Sequence, residues 1–517
     1  MKIIIQAGGK GTRLGHLTQN KPKCIVPVNN LPIIFHMFKK YPQAEFVIIG
    51  DYKFNVLEKY LQTFCCAKYI LIKATGTGNA CGIKEALKYI ADDEQFMLIW
   101  SDIILSQEFD ISNLDKNKSY IGISENFKCS WSFQNNTLEK IASTEYGVAG
   151  CYIFNNKSKF SDFPAEGSFT QWLKNSGIAL TPLSMKNSKE TGTIEAIEKI
   201  SSTKNRCRPY NKMEFTTDKV IKTGLTTEGQ KLIDREVIWY KQMREYGFDS
   251  IPEIYSLEPL TMSKIDGTNI FNAELSLNEK KTVIDNLIKS INKMHGYENQ
   301  PANYWDLEEE YYTKTIKRIQ SIRQAIPFSD NDYITINGKH CKNIMTDSTF
   351  LRNLVENRLF STVYCPIHGD CTLTNTMIDK NGKIYFIDAR GYFGSQKVLG
   401  DIRYDWAKLY YSINGNFDQF NIKNFNLSIT NTEVNYTINS GGWEELTDYF
   451  ISKIPACNID ELKIIHSIIW LSLASHAWED FDSMCLAYYN GLYLLNECIE
   501  GDNNAFKREY FKTISTK

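Results

Sequence analysis

The sequence predicts an α/β protein of two domains, and three observations support this. A length of 517 residues exceeds what one ordinary core accommodates. Up to about residue 200, apolar runs such as "EFVIIG" and "FMLIWSD" alternate with helix-like segments such as "FNVLEKYLQTF", a pattern typical of a parallel sheet covered on both faces. Beyond the polar stretch "SSTKNRCRPYNK", residues 201–212, the chain is mostly helix-like. We therefore place the domains at residues 1–203 and 204–517.

The bulk composition narrows the class of function. Hydrophobic residues make up 43% and charged residues 23%, as in globular proteins. A net charge of −1 provides no general attraction to nucleic acid or to an anionic membrane. The 13 cysteines lack metal-ligand spacing, and no signal peptide or long apolar run is present. We expect a cytoplasmic protein that acts on small molecules, without nucleic-acid or membrane partners; the oligomeric state stays open, with a homo-oligomer as one alternative.

The first candidate site is a glycine-rich loop, "AGGKGTRLGHLTQNKPK" at residues 7–23, which follows the apolar run "KIIIQ". Glycines let backbone N–H groups approach phosphate oxygens closely. The residues of this loop expected to contact a nucleotide are Ala7, Gly8, Gly9, Gly11 and Thr12. Arg13 and Lys23 add positive charge, which a triphosphate attacked at its α-phosphorus requires, because negative charge builds up on the departing pyrophosphate. We therefore expect Arg13 and Lys23 to be catalytic.

Four further stretches follow the loop: "TGTGNACGIKEAL" at 75–87, "WSDIIL" with Asp102, "LEK" at 138–140, and "ETGT" at 190–193. Together with the loop they resemble the nucleotidyltransferase family that includes sugar-1-phosphate uridylyl- and thymidylyltransferases and bacterial phosphocholine cytidylyltransferases. The resemblance covers about residues 1–200. It implies a Rossmann-like domain with a mostly parallel sheet.

The same resemblance implies roles for five residues. Gly76 belongs to the loop that touches the base, and Glu139 and Lys140 resemble the segment that contacts the sugar. Asp102 and Glu190 stand where the family binds Mg²⁺, and carboxylate oxygens are ligands that Mg²⁺ prefers. The family usually has an aspartate at the position of Glu190, so this chain keeps the charge on a longer side chain.

The second candidate site is "IHGDCTLTN", residues 367–375, followed by "YFIDARG". An apolar strand leads into His368, Gly369 and Asp370; Asn375 follows, and Asp388 ends a further strand. One aspartate can orient an acceptor hydroxyl and accept its proton, while an asparagine and a second aspartate can hold Mg²⁺ on nucleotide phosphates. The spacing predicts a phosphoryl-transfer site.

This pattern resembles the aminoglycoside phosphotransferase and choline kinase superfamily over about residues 205–500. The resemblance implies a bilobal, protein-kinase-like domain with a largely helical C-lobe. Asp370 would be the catalytic base, and Asn375 and Asp388 would be metal ligands. Lys222, in "KVIK", would contact the phosphates of ATP and pair with Glu236 from the next helix, with Asp234 or Glu228 as alternative partners.

Several residues of the second half have two interpretations. Arg390 departs from the acidic or small residue that many relatives carry there, and Asp405 in "GDIRYDWAKL" is expected to cap a long helix. Trp406, Trp470 and Trp478 either belong to the core or form an aromatic cage for an ammonium group. The core interpretation is favoured.

The two predicted activities can act in sequence. A kinase would phosphorylate a small molecule with ATP, and a nucleotidyltransferase would join that phosphate to a nucleoside monophosphate from a second NTP, CTP or UTP, with Mg²⁺ as cofactor. The product would be a nucleotide-activated sugar, by analogy for surface polysaccharide synthesis. The alternatives are a choline kinase and phosphocholine cytidylyltransferase making CDP-choline, a nucleotidyltransferase with a regulatory kinase-like domain, and an antibiotic-resistance kinase.

Overall fold

The computed structural model describes residues 1–201, 211–455 and 458–515, with side chains up to residue 499. The chain divides into two compact units, which are Met1–Lys204 with Glu479–Asp482, and Asn205–Trp478 with Ser483–Lys517. The predicted boundary between residues 203 and 204 lies within residues 202–210, outside the described residues. No helix of the described ranges is long and apolar enough to cross a membrane.

The N-terminal unit is built on a nine-stranded mixed sheet with helices packed against it. Two short pairs, β2–β3 and β7–β13, lie outside this sheet. The strands of the unit are β1 Lys2–Gln6, β2 Pro27–Val28, β3 Leu31–Pro32, β4 Glu45–Gly50, β5 Lys68–Lys73, β6 Phe96–Trp100, β7 Ile103–Ile104, β8 Ser119–Ser124, β9 Ser132–Gln134, β10 Thr137–Glu139, β11 Gly147–Phe154, β12 Leu180–Ser184 and β13 Lys189–Glu190. Its helices are α1 Ile33–Lys40, α2 Phe54–Phe64, α3 Ala80–Leu87, α4 Phe169–Asn175 and α5 Ile194–Ile200.

The order of the strands explains where functional groups can gather. Strands β5, β4, β1 and β6 run parallel, and β11 continues the sheet antiparallel to β6. The central strands are apolar on both faces, since Ile3, Ile4 and Ile5 of β1 are fully buried. Because β1 and β6 are parallel and Gln6 is in register with Trp100, the residues that follow both strands leave the sheet at one edge. The predicted mostly parallel N-terminal sheet is confirmed.

From residue 211 onward, helices dominate and the strands are short. The strands are β14 Asn211–Phe215, β15 Lys219–Gly224, β16 Ile254–Leu257, β17 Leu260–Ser263, β18 Gly267–Asn269, β19 Gln300–Pro301, β20 Tyr333–Ile336, β21 Lys339–Lys342, β22 Val363–Pro366, β23 Thr376–Asp379, β24 Ile384–Phe386, β25 Leu399–Gly400, β26 Phe425–Ile429 and β27 Val434–Ile438. The helices are α6 Thr227–Glu245, α7 Leu277–His295, α8 Tyr304–Glu308, α9 Lys314–Ser321, α10 Thr349–Arg358, α11 Ile402–Ile413, α12 Phe417–Asn421, α13 Thr447–Lys453, α14 Ile459–Ala474 and α15 Phe481–Ser515.

Within the second unit, an antiparallel sheet in the order β14-β15-β17-β16 packs against α6. Strands β14 and β15 form an antiparallel hairpin, and helix α6 follows it in the chain. A second group of elements centres on α11, which packs against α14, while α14 also packs against α9. The loop that carries the second candidate site lies between β22 and β23, and the segment around Asp388 follows β24.

Candidate functional site

The N-terminal candidate site forms where β1 and β6 end. The ammonium group of Lys23 makes an ion pair with the carboxylate of Asp102, which follows β6. Strand β13 brings Glu190 beside this pair, because Glu190 is in register with Ile103, the residue after Asp102. Arg13 Nη2 lies 3.5 Å from Glu190 Oε1. Two cations from the glycine-rich loop and two carboxylates from two other segments therefore meet at one edge of the sheet.

The predicted nucleotide contacts of the glycine-rich loop differ in their exposure to solvent. The N–H of Ala7 donates to Ile49 O at 2.8 Å within the sheet, so it does not offer a hydrogen bond to a nucleotide. The expectation that Ala7 contacts a nucleotide through its other atoms stays a prediction. Gly9 and Thr12 lie exposed in the loop, and Gly8 is buried at its base. Gly11 has φ +67°, and a Cβ atom there would lie 3.0 Å from Lys23 Cβ, so the loop reverses direction tightly against the lysine.

The two carboxylates of this site interact with one another. Burial and the charge of Asp102 raise the pKa of Glu190, and Arg13 and Lys23 offset only part of that rise. Thr191 anchors the arrangement, because its N–H and its hydroxyl both donate to Asp102 O at 2.8 Å. Two neighbouring carboxylates that repel one another form an oxygen donor set that fits Mg²⁺. Within the described ranges, no group of three or more His, Cys, Asp or Glu side chains could hold a metal ion, so further ligands would have to come from substrate or water.

The loop that carries Gly76 leaves the sheet at the same edge, since β5 runs parallel to β4 and β4 to β1. Gly76 and Thr77 are exposed. The loop is tied to the segment before α4, because Gly167 N donates to Thr77 O at 2.9 Å and Ala80 N donates to Gly167 O at 3.1 Å. Asn79 Oδ1 also accepts a hydrogen bond from Phe169 N at 2.8 Å. A ligand would therefore meet a loop of fixed shape here.

Glu139 and Lys140 lie at the end of the edge strand β10. Glu139 ends β10, the edge strand of the β9–β10 hairpin, and both side chains are exposed. Among the described residues, no hydrogen bond or ion pair joins either side chain to the Lys23–Asp102 pair. The expectation that Glu139 and Lys140 contact a sugar stays a prediction.

The C-terminal candidate site has a lysine between two carboxylates. Lys222 of β15 lies with its Nζ 2.6 Å from Glu236 Oε2 on α6, and it also makes an ion pair with Asp388. Burial lowers the pKa of Lys222, but the charges of Asp388 and Glu236 outweigh burial and hold it above its ordinary value. Burial raises the pKa of Glu236 to about 7. The charge of Lys222 lowers the pKa of Asp388.

Asp370 and Asn375 are in direct contact. Asn375 Nδ2 donates to both Asp370 O and Asp370 Oδ2 at 2.9 Å. Lys408 of α11 completes the group with its Nζ 2.9 Å from Asp370 Oδ1. Asp388 adopts φ +57°, a left-handed conformation, at the end of the segment after β24. The carboxylate and amide oxygens of Asp388 and Asn375 are the kind of donors that suit Mg²⁺.

Asp405 corrects one expectation. Asp401 caps α11, since its carboxylate accepts from Arg403 N at 3.0 Å. Asp405 is fully buried instead, and its carboxylate accepts from the N–H groups of His368 at 3.0 Å and Gly369 at 2.7 Å. His295 Nε2 lies 3.1 Å from the same carboxylate. The prediction that Asp405 is a helix cap is therefore wrong, and the residue fixes the backbone of the loop that presents Asp370.

Two of the three tryptophans belong to the core. Trp406 and Trp470 are 1% and 0% exposed, and Trp470 packs edge-on against Tyr411 and Phe420. Trp478 is partly exposed. The finding favours the core interpretation of Trp406 and Trp470 over an ammonium cage.

The sequence predictions missed Lys408 and the partner of Arg390. Asp401, Asp405 and Lys408 recur at spacings of four and three residues, so one face of a predicted helix would have grouped them. Arg390 Nη2 lies 2.6 Å from both Glu310 oxygens, a contact across 80 positions of sequence that no local pattern reveals.

Comparison with known proteins identifies the class of the N-terminal domain. Residues 2–120 match the family described as nucleotidyl transferase. A bifunctional protein GlmU from Methanococcus maripaludis is 34% identical over 134 residues, which are 25% of this chain and 31% of that protein. D-glycero-alpha-D-manno-heptose 1-phosphate guanylyltransferase from Campylobacter jejuni is 34% identical over 128 residues, which are 23% of this chain and 55% of that protein. The crystal structure of HddC from Yersinia pseudotuberculosis has 21% identity and a TM-score of 0.34, covering 39% of this chain and 97% of that one.

The chain spans only 31% and 55% of the lengths of these two relatives. The N-terminal unit nevertheless contains a nucleotidyltransferase-type domain, with homologues that include a sugar-1-phosphate nucleotidyltransferase, so this part of the predicted family resemblance is confirmed. The family match ends at residue 120. The kinase-like interpretation of residues 204–517 stays a prediction.

Proposed function

We propose that this protein is an enzyme that transfers a nucleoside monophosphate from an NTP, CTP or UTP, to a sugar 1-phosphate. The observation that carries the proposal is the Lys23–Asp102 ion pair at the ends of β1 and β6, with Arg13 and Glu190 beside it. The match of residues 2–120 to the nucleotidyl transferase family supports the same activity. The Campylobacter relative is named as a heptose 1-phosphate guanylyltransferase, which supports a sugar 1-phosphate as acceptor.

In this reaction a phosphate oxygen of the acceptor attacks the α-phosphorus of the NTP. The bond between the α-phosphorus and the bridging oxygen breaks, and pyrophosphate leaves. Arg13 is the more exposed cation of the site, 64% exposed, and stabilises the negative charge that moves onto pyrophosphate. Lys23 is held by Asp102 and neutralises the α-phosphate. Asp102 and Glu190 would hold Mg²⁺, which when bound draws the two phosphates together and neutralises their charge.

A second function, phosphorylation of a small molecule by ATP, is favoured by a specific observation in the C-terminal unit. Lys222 pairs with Glu236 and Asp388, and Asp370 contacts Asn375. A lysine fixed by a helix glutamate serves to orient the phosphates of ATP. The hydroxyl oxygen of the acceptor would attack the γ-phosphorus, the bond to the bridging oxygen would break with release of ADP, and Asp370 would accept the hydroxyl proton. Asn375 and Asp388 would hold Mg²⁺ on the phosphates.

The two activities together would convert a sugar, ATP and a second NTP into a nucleotide-activated sugar, by analogy a donor for surface polysaccharide synthesis. The burial of Trp406 and Trp470 weakens the alternative of CDP-choline synthesis, because these side chains offer no aromatic surface to a quaternary ammonium group. The paired Asp370 and Asn375 weaken the alternative of a purely regulatory domain.

The test is to incubate the full chain with ATP, all four NTPs, Mg²⁺ and a panel of hexoses, hexose 1-phosphates and choline, and to identify products by mass spectrometry. Formation of an NDP-sugar and pyrophosphate from a hexose 1-phosphate supports the nucleotidyltransferase. Formation of ADP and a phosphorylated acceptor supports the kinase. CDP-choline without any NDP-sugar would overturn the sugar assignment. Turnover that survives excess EDTA would exclude the assigned Mg²⁺ dependence.

A further inference from the structure

The neighbourhood of Asp370 carries more positive charge than the proposed chemistry requires. Four side chains, here called the basic cluster, are involved: Lys314 and Arg318 of α9, Arg390 after Asp388, and Lys408 of α11. Among the described residues, ion pairs join the cluster to two carboxylates, Glu310 and Asp370. Glu310 forms ion pairs with Arg390, at 2.6 Å, and with Lys314. Asp370 forms an ion pair with Lys408 at 2.9 Å.

Two tyrosines link the members of the basic cluster. The guanidinium of Arg390 lies 4.1 Å from the ring centre of Tyr392 and 5.1 Å from that of Tyr404. Lys408 lies 5.9 Å from the ring centre of Tyr404. Burial raises the pKa of Tyr392, but Arg390, Arg318 and Arg235 outweigh burial and lower it. The aromatic faces thus separate cations that would otherwise repel one another directly.

Positive charge is disfavoured at two of the four members, Lys314 and Arg318, whereas Asp370 outweighs burial and raises the pKa of Lys408. Burial lowers the pKa of Lys314, and Arg390, Arg318 and Lys408 lower it further, even though Glu310 is its partner. Burial likewise lowers the pKa of Arg318, and nearby Arg390 adds to that effect. Like charges held together in a partly desolvated site cost free energy, and an anion placed among them relieves that cost.

We infer that the molecule phosphorylated at this site carries an anionic group, a carboxylate or a phosphate, in addition to the hydroxyl that accepts the phosphoryl group. The inference rests on the proposed kinase function and defines the class of its substrate. Asp370 marks the position of the attacking hydroxyl, and Lys408 contacts Asp370 directly, so the cluster borders the acceptor rather than a remote surface. Choline and aminoglycosides are cations, and the positive charges of Arg318, Arg390 and Lys408 near the acceptor repel them.

A competing explanation assigns the basic cluster to the transferred phosphoryl group. In that case the charge of the acceptor would not matter, and loss of one cation would slow every acceptor equally. The two explanations therefore differ in one measurable quantity, the ratio of kcat/KM for an anionic acceptor to that for its neutral counterpart.

The experiment compares matched acceptors with the full chain, ATP and Mg²⁺. One series is glucose, glucuronate and glucose 6-phosphate, and a second is glycerol, glycerate and glycerol 3-phosphate; choline and kanamycin are the cationic members. Within each series only the charged group changes. We expect kcat/KM to be about tenfold or more higher for an anionic member than for its neutral counterpart. The carboxylate and phosphate members distinguish the two sources of negative charge.

Arg318→Gln tests the role of the cluster. We expect it to raise KM for the anionic acceptor and to reduce the anionic-to-neutral ratio by roughly tenfold, while Arg318→Lys retains most of the ratio. Lys317→Gln is the matched control, since Lys317 is exposed on the same helix and should leave the ratio unchanged. Binding of the same compounds to Asp370→Asn, measured by calorimetry, covers acceptors that bind without turnover.

Each outcome decides one proposal. If no acceptor gives ATP turnover that depends on Asp370, the kinase function itself fails. If turnover occurs but neutral or cationic acceptors are used as well as anionic ones, the kinase stands and the inference is overturned. A ratio that Arg318→Gln leaves unchanged, or the absence of both turnover and binding for every anionic member, also overturns it.

Discussion

The two candidate sites use the same three groups in different environments. Each has a lysine paired with an aspartate and a glutamate nearby whose pKa is raised. In the N-terminal site the glutamate faces Arg13, which is 64% exposed. In the C-terminal site Glu236 is 4% exposed and the outward group is Asp388, at 45%.

This difference in exposure shows that the same chemical groups suit different tasks when they are buried to different extents. An exposed arginine can follow a leaving group into solvent, which suits the release of pyrophosphate. A lysine fixed between two carboxylates keeps one position, which suits a nucleotide that must be held while its terminal group is transferred. For the two proposed activities, the N-terminal site is therefore suited to the release of pyrophosphate, and the C-terminal site is suited to holding the nucleotide in one position.

The largest expected effect is on the C-terminal site. Asp370→Asn should lower ATP-dependent phosphorylation by about 10²–10⁴-fold, because an amide cannot accept the hydroxyl proton. Pyrophosphate release from an NTP and a sugar 1-phosphate supplied directly should be unchanged. Both rates are measured on the full chain, with Asp266→Asn as a control, since Asp266 is 90% exposed. If a folded Asp370→Asn protein loses both activities, the two sites are not independent.

The reciprocal change addresses the N-terminal site. Asp102→Asn should lower pyrophosphate release by about a hundredfold or more, because the change removes a proposed Mg²⁺ ligand and the partner of Lys23. Phosphorylation of the acceptor should persist. Asp92→Asn serves as the control because Asp92 is 93% exposed. Retention of normal pyrophosphate release in Asp102→Asn would remove this residue from the proposed site.

A third prediction compares the two glutamates through the pH dependence of stability. The pKa of Glu236 is raised to about 7 from an ordinary value of 4.5, so the folded state holds the proton more tightly than the unfolded state. Its contribution is fully present below about pH 4.5 and is lost as the pH rises through about 7. Glu236→Gln should therefore remove a decline in stability on the order of 2 kcal/mol across this range.

Calorimetric unfolding at several pH values between about 5 and about 8 measures this effect. Glu190→Gln should change the slope in the same direction but less, because Glu190 is less buried, at 21% exposure, and faces Arg13. Glu245→Gln, at an exposed position on the helix of Glu236, is the control. An equal or larger effect of Glu190→Gln would contradict the contrast in burial between the sites.

The smallest expected effect concerns one glycine in each loop. Gly11 and Gly369 have φ +67° and +77°, and a Cβ atom on either would lie 3.0 Å from the Cβ of Lys23 or Arg390. Each Gly→Ala change should destabilise its unit by about 1–2 kcal/mol, measured as a lower Tm. Gly9→Ala is the matched control, because no atom lies within 4 Å of the added methyl group. A Tm for Gly11→Ala equal to that of Gly9→Ala would show that the turn is not fixed.

Local patterns in the sequence predicted the strands of the N-terminal sheet and one ion pair of the C-terminal site. The apolar runs identified the strands of the N-terminal sheet, because buried parallel strands are apolar on both faces. Lys222 and Glu236 were paired correctly, since a strand and the third turn of the next helix are close in sequence and space. The antiparallel direction of β11 was not predicted, because an apolar run does not encode its direction.

The remaining contacts depend on distant parts of the chain. Asp405 was taken for a cap because it lies near a helix start, whereas Asp401 holds that position and only the folded loop reveals what Asp405 binds. Glu310 joins Arg390 across 80 residues. The grouping of Glu139 and Lys140 with the sugar contacts rests on the motif alone and stays a prediction.

The backbone at Asp388 has a consequence for substitution at that position. Its φ of +57° is accessible at low energy to glycine, asparagine and aspartate. Pairing with Lys222 requires a negative charge, which only aspartate and glutamate supply. Only aspartate meets both requirements, so each of the nineteen replacements in a saturation library violates at least one of them. No substitution of Asp388 is therefore expected to be neutral. Each one loses the left-handed backbone conformation, the ion pair with Lys222, or both.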